Sequence, residues 1–269
     1  MNEGGPGACE GRSLLAVFAH PDDESLACGG LLAWCAQLGA RVSLVCATHG
    51  ELGPTSDPSV VDRGGLREVR AQELHAAARV LGIADVVLLD YPDGFLPWVD
   101  ANRLEADISG AIRRFRPDVV LTFGEDGLYW HPDHIAIHER TTAAVAALGD
   151  SAPALYYVTM PRGVMRAIVN TFLATYRERG EPPPTQVLGI VSIDAFGVGA
   201  EPPTLVIDVA AFADRKLAAL RCHRTQTAND VLALMSDGDA ERLLATEHFH
   251  RAPIHSGADA FIEQLAVKL

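Results

Sequence analysis

Short apolar runs alternate along the chain with longer segments whose apolar positions recur at helical spacing. Residues 14–19, 41–48, 85–90 and 118–123 are compact hydrophobic runs that read as strands. Between them, 25–38, 66–81 and 102–115 read as helices, the first amphipathic, closed by Gly39, Gly82 and Pro117. The Gly-, Pro-, Ser- and Asp-rich stretch through Gly65 reads as a loop. Continuous apolar strands alternating with helices predict a parallel sheet covered on both faces. Further on, 154–159 reads as a strand, 162–178 as a helix, and Pro182 to Pro184 as a stiff connector. Two short β-like runs, 187–193 and 204–209, precede a helix over 210–222. The expected fold is α/β, a Rossmann-like, mostly parallel sheet with helices on both faces and a small C-terminal β-containing elaboration. Residues 1–185 would form the core, and 186–269 an added layer packed on it rather than an independent unit.

Two strands end in dense polar knots. The first strand opens into His20-Pro21-Asp22-Asp23-Glu24, and the fourth into Gly124-Glu125-Asp126-Gly127-Leu128-Tyr129-Trp130-His131-Pro132-Asp133-His134. Open α/β sheets hold ligands beyond the carboxyl ends of their strands. Four ionisable groups in five positions need partners there, because unpaired buried charge is costly. A metal ion is the simplest partner, since imidazole nitrogen and carboxylate oxygen both ligate zinc. The plainer alternative is a strand-to-helix turn with Asp22 or Asp23 as a cap. For His138, packing or capping is the simpler role. His248, His250 and His255 read as surface or subunit contacts, in a tail that the pattern does not place.

Composition narrows the function. Over 269 residues, 22 Lys and Arg face 35 Asp and Glu, a formal charge of -13, and Lys216 and Lys268 are the lysines. No basic block appears, which argues against nucleic acid and against insertion at an acidic membrane surface. Cys9, Cys28, Cys35, Cys46 and Cys222 lie in or beside apolar segments, as small hydrophobes of a reducing compartment do. The N-terminus lacks the pattern of a signal peptide, so a cytoplasmic protein is expected. The first strand-to-helix turn lacks the Gly-x-Gly-x-x-Gly fingerprint of a dinucleotide site.

Together, Ala19-His20-Pro21-Asp22-Asp23-Glu24 and His131-Pro132-Asp133-His134 resemble the PIG-L/LmbE-like family of zinc-dependent N-acetylglucosaminyl deacetylases. The likeness runs through about Leu148 and takes in Thr48, Gly50, Glu51, Arg70 and Glu73, with weaker matches at His223 and Gln226. The resemblance implies a Zn2+ held by His20, Asp23 and His134, with Asp22 as general base. It implies further that His131, oriented and charged by Asp133, and Tyr129 assist at the carbonyl oxygen. Arg70 and Asp93 match sugar-binding positions of the mycothiol-pathway deacetylase, although a local salt bridge of Arg70 with Glu68 or Glu73 is an equal reading. Trp130, where relatives often have a small residue, reads as rim.

The implied activity is hydrolysis of the N-acetyl group of an N-acetylglucosamine-containing small-molecule conjugate. Two other readings fit the sequence. One keeps the site in an amidase of a larger sugar-thiol conjugate or a deacetylase that tailors a secondary metabolite. The other is a metal-free, non-catalytic module that binds a nucleotide. A homo-oligomer is compatible with all three.

Overall fold

The computed structural model describes residues 7–55, 65–180, 193–227, 236–254 and 260–266. The elements are β1 (Ser13–Phe18), α1 (Asp23–Gln37), β2 (Arg41–Thr48), α2 (Leu66–Leu81), β3 (Asp85–Tyr91), α3 (Ala101–Phe115), β4 (Val119–Phe123), α4 (Pro132–Ala146) and β5 (Ala154–Thr159). These are followed by α5 (Val164–Arg179), β6 (Leu205–Asp208), α6 (Ala213–Leu220), α7 (Asp237–Leu244) and β7 (Thr246–Arg251). One seven-stranded sheet has the order β3-β2-β1-β4-β5-β7-β6. β1 to β5 pair in parallel, while β7 runs antiparallel to both β5 and β6. This is the α/β, Rossmann-like architecture with a mostly parallel sheet.

Leu14 to Phe18 and all of β4 are buried, because helices cover the central strands on both faces. The amphipathic pattern of α3 is realised directly: Leu104, Ile108, Ala111, Ile112 and Phe115 turn inward. Asp100 caps that helix by accepting from the Asn102 and Arg103 amides. Sequence order reverses between β1 and β4, which are neighbours in the sheet. Both polar knots therefore open at the switch point, where the crevice of such a sheet lies.

The C-terminal part holds a strand that the pattern does not predict. β6 and β7 extend the main sheet, and His248 and His250 lie in β7, between β5 and β6. The expected connector 182–184, most of the run 187–193, and His255 fall outside the described residues; Ile193 itself opens a 3-10 turn. Helix α1 is not amphipathic either. It is packed by β7 on one side and α6 on another, with residues from Asp23 to Cys35 buried over most of its length.

That helix breaks at Cys28 (φ -149°, ψ 21°). Glu247 of β7 repairs the break by accepting from the amides of Gly30 (2.8 Å) and Leu31 (2.9 Å). Lys216 of α6 neutralises the same carboxylate at 2.7 Å, with both side chains almost fully buried. Breaking such a pair from one side leaves an uncompensated buried charge. Glu247→Ala orphans an ammonium and two amides, and should cost about 3–5 kcal/mol in urea unfolding. Lys216→Met should cost less, since Glu247 keeps both amides. A Glu247→Ala protein within about 1 kcal/mol of the parent, the value of one ordinary hydrogen bond, would contradict this account.

Candidate active site

The first knot turns sharply. Asp22 adopts φ 126°, a conformation that an L side chain rarely takes. Its amide donates to Glu24 Oε2 (3.1 Å), and the Arg70 guanidinium spans the turn through Pro21 O (2.5 Å) and Asp22 Oδ2 (3.0 Å). Asp22 occupies the N-cap position of α1 but makes no capping hydrogen bond with its side chain. Arg70 also donates to Gly50 O, and a Cβ at Gly50 would lie 2.3 Å from the guanidinium, so this close approach requires glycine. The expected local salt bridge of Arg70 with Glu68 or Glu73 is replaced by the pair with Asp22, and Glu73 instead accepts from Thr225 N and Oγ1.

The second knot is strained too, with positive φ at Leu128 (65°) and Trp130 (66°). It delivers His134, fully buried, with its ring stacked on Phe123 at 3.9 Å. A Cβ at Gly127 would approach His134 Cβ to 2.9 Å, so glycine is needed there as well.

Tautomers follow from the partners. His134 Nδ1 faces Gly127 O at 3.0 Å; a carbonyl only accepts, so Nδ1 carries the proton and Nε2 is a bare acceptor in the neutral ring. His20 Nε2 faces carboxylate oxygens of Asp93 (3.1 Å) and Asp133 (3.2 Å), so it donates and leaves Nδ1 as the other bare acceptor. These two acceptors lie 3.1 Å apart. Asp23 closes the triangle, Oδ1 lying 3.3 Å from His134 Nε2 and Oδ2 lying 3.5 Å from His20 Nδ1. Only a positive charge between them reconciles such groups. Burial lowers the pKa of His20, but the hydrogen bonds to Asp133, Asp23 and Asp93 outweigh it and hold it well above the usual imidazole range. Burial likewise raises the pKa of Asp23, and His134 and His20 override it, leaving the carboxyl well below its usual range.

The donor spacing suits a metal ion. Tetrahedral zinc with bonds of ~2.0–2.1 Å places its ligand atoms about 3.4 Å apart. His20, His131 and His134 also bring ring nitrogens within 4.8 Å of one another, as do donors of His20, Asp93 and Asp133. In that second grouping the carboxylates sit on Nε2, the opposite edge of the His20 ring from Nδ1, where they orient the ring. This corrects the expected partnership of Asp133 with His131. The Asp133 carboxylate accepts from the Gly94 and Leu96 amides and faces His20, while His131 Nδ1 accepts from the Asp133 backbone amide (3.2 Å). Asp93, expected at a sugar, is also turned to His20 and accepts from the Leu52 amide.

Beside the cluster opens a cavity of about 380 Å3, bordered by Asp22, Arg70, Asp93, Tyr129, His131, Phe196 and Gln226 among others. Desolvation, only partly offset by Arg70, raises the pKa of Asp22 to about 6, although its side chain keeps 30% exposure. Burial, reinforced by His134 and His20, lowers that of His131 to about 4. Burial and the charges of Asp23 and Asp22 raise that of the Tyr129 phenol. His138 serves packing as expected, donating through Nδ1 to Phe123 O.

The GlcNAc-PI de-N-acetylase (PIG-L) family matches residues 15–145. A curated relative, the 1D-myo-inositol 2-acetamido-2-deoxy-alpha-D-glucopyranoside deacetylase of Acidothermus cellulolyticus, is 36% identical over 88% of this chain and 88% of its own. The chain belongs to the PIG-L/LmbE-like deacetylase family. The enzyme of the same name from Streptomyces scabiei is 34% identical over 89% of this chain and 84% of its own. Among solved structures, the N,N'-diacetylchitobiose deacetylase of Pyrococcus horikoshii superposes with a TM-score of 0.60 at 22% identity, covering 90% of this chain and 84% of that one. The 4-carboxy-2-hydroxymuconate hydratase GalB of Pseudomonas putida reaches 0.61 at 18% identity, over 90% and 96%. A hydratase thus shares the fold, and chemistry has to be argued from the site. No helix of the described residues is long and apolar enough to cross a membrane.

The buried pair of Glu24 and His223 behind the PIG-L site was only faintly signalled in the sequence, because 199 residues separate its members. Glu24 Oε1 lies 2.9 Å from His223 Nε2, and both are fully buried. Desolvation pulls His223 down, but Glu24 outweighs it and the pKa is raised; desolvation pushes Glu24 up, but His223 outweighs that and it is lowered. The His223 contribution to stability is complete below its unfolded pKa, about 6.5, and is lost as pH rises through the higher folded value. That of Glu24 is present above its unfolded pKa, about 4.3, and is lost as pH falls through the lower folded value. The pair therefore stabilises most between about pH 4.3 and 6.5. In urea titrations the parent should lose more stability between pH 6 and 9 than His223→Gln does; parallel curves would show that the pair stays uncharged.

Proposed function

We propose that this protein is a zinc-dependent hydrolase that removes the N-acetyl group from an N-acetylglucosamine-containing small-molecule conjugate. The observation that carries the reading is the triangle of His20 Nδ1, His134 Nε2 and Asp23, open to a cavity that also holds a second carboxylate, Asp22. In this reading His20, Asp23 and His134 hold the metal. Zinc bound there would supply a Lewis acid and lower the pKa of water toward roughly 7.

The remaining steps belong to the chain's own groups. With its pKa near 6, Asp22 is ionised at neutral pH yet basic enough to take the proton of the attacking water. Arg70 fixes that carboxylate against the strained turn. His131 is neutral at pH 7, and with Nδ1 engaged by the Asp133 amide its Nε2 carries the hydrogen, which it offers to the acetyl oxygen as charge develops. Tyr129 stays a phenol and can donate to the same atom. With its pKa lowered to about 4, His131 carries no imidazolium proton to give at pH 7, so Asp22 returns its proton to the departing amine. Arg70 and Asp93 border the cavity and can meet sugar hydroxyls, but their first task is to position Asp22 and His20.

A direct test uses 1D-myo-inositol 2-acetamido-2-deoxy-α-D-glucopyranoside, the compound in the relatives' names, with amine release and metal content measured together. Asp23→Ala should lose zinc and turnover. Asp22→Asn should keep zinc and fall by about 10²- to 10⁴-fold in kcat. A metal-free Asp22→Asn protein, or one near the parent rate, would remove Asp22 as base. Asp133→Asn should weaken zinc binding by about 10- to 100-fold in a chelator competition, through the loosened His20 ring; unchanged affinity would refute that orienting role.

A further inference from the structure

Tyr129 enters the proposed hydrolysis as a hydrogen-bond donor, yet among the described residues no hydrogen bond ties its hydroxyl. The turn that carries it is no regular helix, since Leu128 and Trp130 on either side both have positive φ. The direction of the phenol therefore rests on the rings packed around it. His131 and His134 meet the Tyr129 ring edge-on at 5.8 and 5.2 Å. The third ring is that of Phe196, tilted by 39° at 4.9 Å, within the range of favourable aromatic pairs. The two histidines already have roles in the proposed site. Phe196 has no polar atom to contribute to the chemistry, but it lines the cavity and is 2% exposed.

The segment around Phe196 is anchored on both sides of it. Before it, Asp194 accepts from Arg166 Nε of α5 at 2.8 Å. After it, the Gly197 amide donates to Leu128 O at 3.4 Å, in the turn that carries Tyr129. Gly197 has φ 73°, and a Cβ there would lie 2.4 Å from Met160 O, so the close approach requires glycine. A Cβ at Gly199 would lie 2.9 Å from Trp130 Cζ2, in the same turn. Phe196 also borders a second cavity of about 360 Å3, with Arg162, Gly163, Arg166 and Asp194. Truncating its ring would leave a void beside Tyr129 into which the phenol can turn. We propose that Phe196 is a positioning residue for Tyr129, its ring holding the phenol against His131 and His134 and so toward the acetyl oxygen. The inference rests on the deacetylase reading, which gives Tyr129 its task, and adds the group that aims it.

The experiment is a double-mutant cycle on the zinc-loaded protein, read as kcat and KM for amine release from the inositol glycoside, with zinc content. Tyr129→Phe removes the donor and should lower kcat by about 10²-fold. Phe196→Ala should lower kcat by about 10-fold or more with KM within about 2-fold, because a misaimed donor loses much of its effect. Phe196→Leu keeps most of the volume and should restore most of that rate. In a Tyr129→Phe background, Phe196→Ala should cost less than about 2-fold, since both substitutions remove one interaction. Equal losses of kcat in the two backgrounds overturn the assignment. So does a Tyr129→Phe protein at the parent rate, a Phe196→Ala effect confined to KM, or loss of zinc from Phe196→Ala. Should Phe196→Ala not fold, the cycle is run with Phe196→Leu, whose smaller loss must likewise vanish beside Tyr129→Phe. Crystal structures of the parent and the Phe196 variants give a readout independent of turnover. The Tyr129 phenol should leave its place beside His131 and His134 in Phe196→Ala and keep it in Phe196→Leu; an unmoved phenol in Phe196→Ala overturns the proposal. A phenol that moves in a protein whose parent form releases no amine would keep the packing role and overturn the deacetylase reading instead.

Discussion

Two imidazole nitrogens held 3.1 Å apart, each with its lone pair turned to the other, set the terms for the rest of this protein. Neither ring can relieve the contact by changing tautomer, because Gly127 O claims one hydrogen of the pair and the Asp93 and Asp133 carboxylates claim the other. Stacking on Phe123 prevents His134 from swinging away. The cluster consequently selects a positive charge, and Asp23 adds the negative charge that favours it further. Of the four non-glycine residues with positive φ among the described residues, Asp22, Leu128 and Trp130 lie in the two turns that create this convergence.

Adjacent carboxylates are separated by the same geometry. Asp23 points at the two rings and is held far below the usual carboxylate range, whereas Asp22 turns to Arg70 and is raised to about 6. One turn thus yields an anion fixed beside the cluster and a carboxylate able to exchange a proton near neutrality, as the proposed hydrolysis requires.

The far end of the chain braces this arrangement. Glu247 mends the break in α1, His223 holds Glu24, and Thr225 holds Glu73 on the helix that carries Arg70. These contacts pack the C-terminal segment against α1 and α2. They also tie the helix that begins at Asp23 to groups about two hundred residues away.

Much of this was legible in the sequence. Continuous apolar strands and helical periodicity are local signals, and they identify β1 to β5 and most of the intervening helices because parallel strands buried on both faces have little freedom in composition. The two knots declared themselves by density of ionisable groups at strand ends. Other features required the tertiary structure. Strand β7 carries His248, Glu247 and His250, which resemble no buried strand until β5 and β6 supply their neighbours. Arg70 has acidic residues within its own helix, yet it pairs with Asp22, which the sheet brings to it across 48 residues of chain. Asp133 is nearer in sequence to His131 than to His20, but backbone amides at Gly94 and Leu96 fix its carboxylate on the far ring. Sequence determines which groups stand at which strand end; the partner each one meets depends on strand order and on backbone donors, which no local pattern encodes.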